Sequence, residues 1–392
     1  MNQTRWLPGG KSFGLAVAAP PQAPATDPKY RISGVAATVV AEPDSGRRYT
    51  VLEIATEAGL KGYGEAAPLP GETLPAAAGQ LRDALVRQDA RAAVVLDDRL
   101  RADAGRLAGR LRGAVNMALL DILGRAAEAP LYEVLGGPTR NKLRAMAVVE
   151  GETPEAVREA VLSAWRAGFR AFSTPLLMPA GPTRGRAFYR QAREQLESLR
   201  AATGEDADFV LDCGGRTTPA EALSLATELE AFHLLWLDEP SARVSAEALR
   251  ALSDGAVTPA GYGRSFDSKA RFQDLLALDG IDVLRPDIAG WGVTEIRKVA
   301  SLAEVYYVAI APFHRGGPIA TAAALHAAAS LPNFFIQETP FPLSARDRRM
   351  RERLAGVALE TPSDGFFALP PGPGLGVEVA ADALQEHAAK NA

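Results

Sequence analysis

Charged residues follow several short apolar segments, and their types suit proton transfer or the binding of an acid. Asp212 lies in "FVLDC", Asp238 in "LLWLDEP" and Asp287 in "VLRPD". In "TPAGYGRSF", a glycine turn delivers Arg264 after the short apolar segment 257–260, which is predicted to be a strand. A charge directly after a buried strand costs free energy unless it has a partner or a ligand. The pattern therefore favours a functional site over ordinary polar loop ends.

Candidate catalytic residues come from the same strand ends. Histidine is the usual proton carrier near neutral pH, which makes His314 in "APFHRGG" a candidate base or acid. Arg264 or Arg315 is a candidate anchor for a substrate carboxylate, and Glu338 in "NFFIQE" is a candidate polarising group. The substrate-binding candidates are polar residues at other strand ends: Ser173, Arg315 and Asp287.

The composition is that of an ordinary globular chain and argues against several partners. The 392 residues, 47% hydrophobic and 23% charged, are enough for two domains. The net charge of −4, with scattered basic residues, argues against nucleic acid and anionic membrane surfaces. A single cysteine, Cys213, excludes a disulfide framework and a cysteine-based zinc site, and it favours the cytoplasm. No apolar run approaches the roughly 18 residues of a membrane-spanning helix.

The elements that must position these residues change in character along the chain. Residues 30–66 are typical of strands, rich in β-branched residues and interrupted by the turn signal "PDSG", and helical patterns follow. From residue 143 onward, short apolar strands alternate with amphipathic helices. This alternation predicts a (β/α)8 barrel, whose strand ends converge on one mouth. An open doubly wound sheet is the alternative, disfavoured because no glycine-rich phosphate loop follows the first strand.

The quoted motifs, together with "GLKGYGEAAPLPGET" and "AVNMALLDILGRAAEAPLYEVLGG", resemble the enolase superfamily. More closely, the chain resembles the mandelate racemase and sugar-acid (galactonate-type) dehydratase branch. The resemblance implies an α+β capping domain at 29–142, a barrel at 143–360 and a C-terminal segment at 361–392 that returns to the capping domain. Residues 1–28 are predicted to be a flexible Ala/Pro-rich arm, with a signal peptide as the alternative.

The resemblance also implies a chemistry, the abstraction of a proton next to a carboxylate while a magnesium ion stabilises the enediolate. In relatives, carboxylates at the ends of the third, fourth and fifth barrel strands hold that ion. Asp212 and Asp238 match the first two, but Arg264 takes the third position, where relatives have the acid of a "PIATGE"-like turn. A guanidinium is permanently charged and can bridge two carboxylates. We therefore expect no magnesium cofactor.

The family's proton-transfer positions are altered as well. Gly214 and Phe313 stand where the dehydratase group carries histidines, and His314 lies one residue beyond the second of these positions. The second barrel strand ends near Ser173, where many relatives have a lysine motif. Asp287 still matches the family pattern, as does Glu338.

Three interpretations remain open. In the first, the chain is a divergent protein, a lyase or isomerase if active, that binds a small carboxylic sugar acid without magnesium. In the second, it is a non-catalytic pseudoenzyme with a structural or binding role. In the third, it is a conventional magnesium-dependent dehydratase or racemase with a rearranged third ligand, such as Glu239 or Asp287.

The other titratable residues are assigned no catalytic role. His326 lies in a helix of small residues, His233 precedes a strand, and Cys213 points away from the face of Asp212 by strand alternation. These three are interpreted as packed or structural. Relatives are often dimers or octamers, so the resemblance also implies a homo-oligomer.

Overall fold

The computed structural model describes residues 27–102, 107–178 and 185–389. The arm predicted over residues 1–28 lies outside these ranges, apart from its last two residues. Within the described ranges, no helix is both long and apolar enough to cross a membrane.

The N-terminal unit begins with an antiparallel sheet in the order β1-β2-β3. Its strands are β1 (Ile32–Ala41), β2 (Arg48–Thr56) and β3 (Lys61–Ala66). The helices are α1 (Leu74–Leu85), α2 (Ala93–Ala102), α3 (Arg112–Ala126) and α4 (Leu131–Val134), with 3-10 turns at Ala90–Ala92 and Leu107–Leu111. The predicted order of strands first and helices after is confirmed.

Glycines in "KGYGEA" bring strand β3 against the backbone of helix α3. A Cβ at Gly62 would lie 2.0 Å from the carbonyl oxygen of Ala118, and one at Gly64 would lie 1.9 Å from that of Ala114. Only a hydrogen fits at either position. Because side chains alternate along a strand, Glu65 lies on the opposite face of β3, toward the barrel.

The second unit is a parallel barrel of eight strands, each followed by a helix. Its elements are β4 (Lys142–Val148), α5 (Pro154–Arg166), β5 (Ala171–Pro175), α6 (Arg186–Thr203), β6 (Asp208–Asp212), α7 (Pro219–Glu228), β7 (Trp236–Asp238), α8 (Ala246–Gly255), β8 (Ala260–Tyr262), α9 (Lys269–Ala277), β9 (Val283–Leu284), α10 (Ile288–Val305), β10 (Ala309–Ile310), α11 (Pro318–Ala329), β11 (Gln337–Pro340) and α12 (Ala345–Ala355). A 3-10 turn, Glu230–Phe232, precedes β7. Strand β11 pairs with β4, and a parallel bridge joins Ile310 of β10 to Phe334, which closes the ring. The predicted (β/α)8 barrel is confirmed, and the open-sheet alternative is wrong.

The predicted strand at 257–260 is wrong in its position. The structure places β8 at Ala260–Tyr262 and leaves Val257 exposed. Gly261 resembles a turn residue in the sequence, but it faces the barrel interior, where an added Cβ would lie 2.5 Å from Trp236 Cδ1. Glycine is required there to make room for the indole, not to make a turn.

An apolar layer fills the barrel and sets the face of the residues above it. It consists of one side chain from each of β4, β5, β6, β7 and β9, and of one residue adjoining β10 and one adjoining β11: Met146, Ala171, Val210, Trp236, Val283, Ala311 and Ile336. Since strand side chains alternate, the residues two positions further on also face inward, toward the C-terminal ends of the strands. This rule places Asp212, Asp238, Arg285 and Glu338 in the same layer.

The C-terminal tail contacts both units. Strand β12 (Phe366–Ala368) pairs antiparallel with β4 of the barrel, which the sequence did not predict. From residue 374 on, the tail returns to the capping domain as expected. The amide of Leu375 donates to Asp121 Oδ1 of α3 at 2.8 Å, and the amide of Ala389 donates to the carbonyl oxygen of Val39 in β1 at 2.8 Å. Helix α13 (Ala381–Glu386) lies between these two contacts in the chain.

We predict that Gly64→Ala lowers the free energy of unfolding by about 1–3 kcal/mol, because the new methyl group overpacks the contact with α3. Gly34→Ala in the same sheet is the matched control, since nothing lies within 4 Å of a Cβ at Gly34. Urea titration of both variants checks the prediction. An equal loss in the two variants would contradict it.

Candidate functional site

Arg264 lies between two carboxylates at the mouth of the barrel. Its Nη1 and Nη2 donate to Asp212 Oδ2 and Oδ1 at 2.8 and 2.7 Å, and Nη1 lies 3.1 Å from Asp238 Oδ2. Gly263 has φ +124°, a conformation suited to glycine, and this turn directs Arg264 back across the strand ends. The expectation that Arg264 bridges both carboxylates is confirmed.

The turn that carries Arg264 is held by Glu239. Its Oε1 accepts the backbone N–H groups of Gly263 and Arg264, both at 2.7 Å. Burial, together with the charge of Asp238, raises the pKa of Glu239. One oxygen of Glu239 is therefore already engaged in holding the loop.

Arg285 is a second buried guanidinium, which the sequence interpretation missed. It is inaccessible to solvent. Its Nε donates to Asp238 Oδ1 at 2.9 Å, Nη1 donates to the carbonyl oxygen of Ala311 at 2.8 Å, and Nη2 donates to Glu338 Oε2. The available signal was the strand period, because Arg285 lies two residues after the inward Val283.

Together these groups form a charge chain, Asp212–Arg264–Asp238–Arg285–Glu338, in which the signs alternate. Burial alone would raise the pKa of Asp212, but the charge and hydrogen bonds of Arg264 hold it below its ordinary value. Burial raises the pKa of Glu338, with a further contribution from Asp238, despite the pairing with Arg285. Burial opposes the charge on Arg264, yet Asp238 and Asp212 raise its pKa. The arginine thus stays charged.

A cavity of about 580 Å³ opens above the charge chain. Its described lining residues come from both units: Arg48, Ala67, Pro68, Gly214, Gly215, Glu239, Ser241, Ala242, Val244, Arg264, Ser265, Phe266, Arg271, Asp287, Ala289, Phe313, Arg315 and Gly316. Of the predicted site residues, Arg264, Arg315 and Asp287 line this cavity. The sequence interpretation missed the contribution of the capping domain, because contacts between two units leave no local pattern.

Two predicted site residues are buried outside this lining. Glu338 is 2% exposed and bonded to Arg285. Ser173 is 1% exposed, and its Oγ has no hydrogen-bond partner among the described residues. In this conformation, a ligand in the cavity would contact neither side chain.

His314 requires a correction, because the structure does not bring it to the cavity. The side chain is inaccessible to solvent, and Nε2 lies 3.1 Å from Thr321 Oγ1. Burial lowers its pKa to about 3, with an opposing effect of Glu360. Its neighbours Phe313 and Arg315 line the cavity instead. His314 lies one residue beyond the family's histidine position, which Phe313 occupies, and its imidazole therefore points into the protein interior.

Asp287 is the predicted site residue that both lines the cavity and has a raised pKa. It caps α10, with Oδ1 accepting the N–H of Ala289 at 3.0 Å. Burial raises its pKa to about 6, against the effect of hydrogen bonds from Ala289 and Gly290. A carboxyl group with this pKa can exchange a proton near neutral pH.

A buried ion network joins the capping domain to the barrel beside the cavity. Arg351 of α12 donates to both oxygens of Glu360 at 2.6 Å and to Glu42 Oε1 at 2.5 Å. Glu65 of β3 accepts the N–H groups of Gly317 and Ala320 at the start of α11, at 2.5 and 3.3 Å. Burial raises the pKa of Glu65 to about 7. This network fixes the capping domain over the mouth.

The residues interpreted as packed are confirmed in that role where their side chains are buried. His326 is buried, accepts the N–H of Tyr132 through Nδ1 at 3.1 Å and stacks on the Tyr132 ring. Cys213 is also buried, and burial raises the pKa of its thiol. His233 is exposed at the end of the 3-10 turn before β7. Within the described ranges, no group of three or more His, Cys, Asp or Glu side chains is arranged to hold a metal ion.

Comparison with known families identifies the two units. Residues 34–136 match the model of the mandelate racemase / muconate lactonizing enzyme N-terminal domain, and residues 156–383 match the enolase C-terminal domain-like model. The chain belongs to the mandelate racemase / muconate lactonizing enzyme family. The resemblance read from the motifs is confirmed.

Relatives within this family cover most of the chain. A D-galactonate dehydratase of Ralstonia pickettii (strain 12J) is 32% identical over 85% of this chain and 89% of its own length. A D-galactonate dehydratase of Klebsiella pneumoniae (strain 342) is 31% identical over 86% of this chain and 91% of its own length. The solved mandelate racemase/muconate lactonizing enzyme from a Sulfitobacter species shares the fold, with a TM-score of 0.81, 23% identity, and coverage of 93% of this chain and 97% of that one.

We predict that Arg264→Met lowers the free energy of unfolding by about 3–5 kcal/mol, because it leaves Asp212 without its bonded cation and removes one of the two cations beside buried Asp238. Arg166→Met is the control. Its ion pair with Glu159 is 3.4 Å long and both side chains are more than half exposed, so a change within about 0.5 kcal/mol is expected. Chemical denaturation measures both. A loss for Arg264→Met as small as that of the control would refute the structural role of the charge chain.

The raised pKa of Glu65 predicts that the stability of the fold depends on pH. Its folded pKa of about 7 lies above the ordinary value of 4.5, so its contribution to stability is present at low pH and is lost as the pH rises toward 7. Glu65→Gln cannot ionise. Its stability relative to the native chain should therefore increase between pH 4.5 and 7 by an amount on the order of 3 kcal/mol. Urea titrations across this range test the prediction, with Glu159→Gln as the exposed control, and parallel stability curves for Glu65→Gln and the native chain would argue against it.

Proposed function

We propose that this chain binds a small hydroxy acid of the sugar-acid type in the mouth cavity through arginine side chains, without a magnesium ion. The position of Arg264 carries the proposal. Its guanidinium binds both oxygens of Asp212 and contacts Asp238, so the two carboxylates are already compensated by a permanent cation.

The residues present do not fit the magnesium site that the family resemblance implies. Magnesium prefers several hard oxygen ligands, and a guanidinium in the third position repels a second cation. A rearranged site would have to recruit Glu239 or Asp287. However, Glu239 Oε1 already accepts two backbone N–H groups, and Asp287 Oδ1 accepts a third. These bonds argue against the conventional magnesium-dependent interpretation.

The cavity wall suits a polyhydroxy acid. Arg315 is 64% exposed and lies 3.8 Å from Asp212, whose oxygens are already bonded to Arg264. Its guanidinium is thus open to a substrate carboxylate, which it can bind by charge-assisted hydrogen bonds. Ser241 and Ser265 offer hydroxyl groups, and Phe313 offers an apolar face. The relatives named for D-galactonate support a sugar acid as the ligand class.

The wall offers few groups for proton transfer. No histidine or lysine occurs among the described residues of the lining. We therefore propose that ligand binding is the primary activity of this chain. A non-catalytic pseudoenzyme that binds the acid agrees with this proposal. A lyase or isomerase activity is the second candidate, and the raised pKa of Asp287, about 6, favours it. The cytoplasmic location and the homo-oligomer remain predictions.

We predict that titration calorimetry with D-galactonate and related aldonates detects binding in EDTA, with a Kd unchanged by added magnesium. Arg315→Gln should weaken this binding about tenfold or more, because a hydrogen bond to a charged group contributes about 1.5–3 kcal/mol. Arg166→Gln, outside the cavity, should leave the Kd unchanged. Binding that requires magnesium would overturn the proposal.

The same acids, assayed for 2-keto product, separate the two candidate activities. The absence of product in the native chain supports a binding protein. Product formed in EDTA and lost in Asp287→Asn supports the enzyme, with Asp287 moving the proton.

A further inference from the structure

The cavity contains a cation from the capping domain that the proposed function does not use. Arg48, the first residue of β2, lines the cavity and is exposed. It forms no ion pair or hydrogen bond through its side chain with any residue in the described ranges. The other lining arginines have partners: Arg264 binds Asp212, Arg271 stacks on Phe266 at 4.4 Å, and Arg315 lies 3.8 Å from Asp212. Arg48 is therefore a cation that faces the ligand space without a protein anion.

The backbone at Arg48 is held firmly beside the barrel wall. Its neighbour Tyr49 is fully buried, and an added Cβ at Gly317 would lie 2.4 Å from Tyr49 Cζ. Gly316, next to Arg315, has Tyr49 Cβ within 3.8 Å of its own Cβ position. Arg48 and Arg315 thus reach one cavity from adjacent positions on the two units. Two guanidinium groups that face one cavity repel each other unless an anion lies between or beside them.

We propose that Arg48 binds a second anionic group of the ligand, so that the site prefers a hydroxy acid with two anionic groups over a monocarboxylate. This inference rests on the proposed function, in which Arg315 binds the first carboxylate. A monocarboxylate would bind Arg315 only, and the guanidinium of Arg48 would stay solvated. A second carboxylate or a phosphate at the far end of the chain gives Arg48 a bidentate partner.

The test is titration calorimetry in EDTA with matched acids. D-galactonate against galactarate adds a second carboxylate, and gluconate against 6-phosphogluconate adds a phosphate. The native chain should bind galactarate or 6-phosphogluconate, the acids with a second anionic group, about tenfold more tightly than the matched monocarboxylate. A preference for galactarate identifies the second group as a carboxylate, and a preference for 6-phosphogluconate identifies it as a phosphate. Arg48→Gln should abolish this preference while changing the monoanion Kd less than about twofold.

Two further variants separate a specific contact from general electrostatics. Arg47→Gln removes the adjacent positive charge, which pairs with Glu150 at 3.1 Å outside the cavity lining, and it should keep the preference. Arg48→Lys should retain part of it. Unfolding midpoints confirm that each variant is folded. If the native chain binds the two acids of each pair equally, or if the preference persists in Arg48→Gln, this inference is overturned and the proposed function still stands. No binding of any acid overturns both.

Discussion

The need to compensate buried carboxylates shapes the whole mouth of this barrel. Asp238 and Glu338 face the interior, where an unpaired charge costs several kcal/mol. Two guanidinium groups, from Arg264 and Arg285, connect these carboxylates with Asp212 into one chain of alternating sign. The supporting features follow from this requirement: Gly263 turns the chain, Glu239 holds the turn, and Gly261 leaves room for the indole that donates to Asp238.

In the proposed function, this arrangement changes which ligands the family's barrel mouth can bind. A barrel mouth with free carboxylates attracts a divalent cation, whereas a mouth whose carboxylates already bind a guanidinium presents a fixed organic cation. Such a cation can bind an acid but offers no metal-bound water. Phe313 lines the wall while His314 points into the protein, so the acidic residues of the described lining whose pKa is raised are Asp287 and Glu239. These features are the basis on which we propose the recognition of anions in place of the family's enolisation chemistry.

Buried ionic contacts hold the capping domain against the barrel. Glu65 binds the start of α11, and Arg351 ties Glu42 to Glu360 across the two units. Buried ionic contacts of this kind lose much of their value if one partner shifts, since each then leaves a charge uncompensated. They hold β2 beside the barrel wall, and this brings Arg48 into the cavity.

Local periodicity in the sequence was sufficient to predict the barrel and the order of its strands and helices, because strands and helices each have a characteristic repeat of apolar residues. The pairing of Arg264 with its carboxylates was predicted from the family resemblance, which matches Arg264, Asp212 and Asp238 to ligand positions at the ends of neighbouring strands. Periodicity failed where a loop begins. Four and five residues beyond β10, it could not tell that His314 faces the interior and Arg315 the cavity, and it mistook Gly261 for a turn residue. Only the tertiary structure decided these points, and it alone showed Arg285 between two carboxylates and Arg48 in the wall. The reason is physical: these environments are made by segments far apart in the chain, and a side chain's surroundings in the sequence carry no record of them.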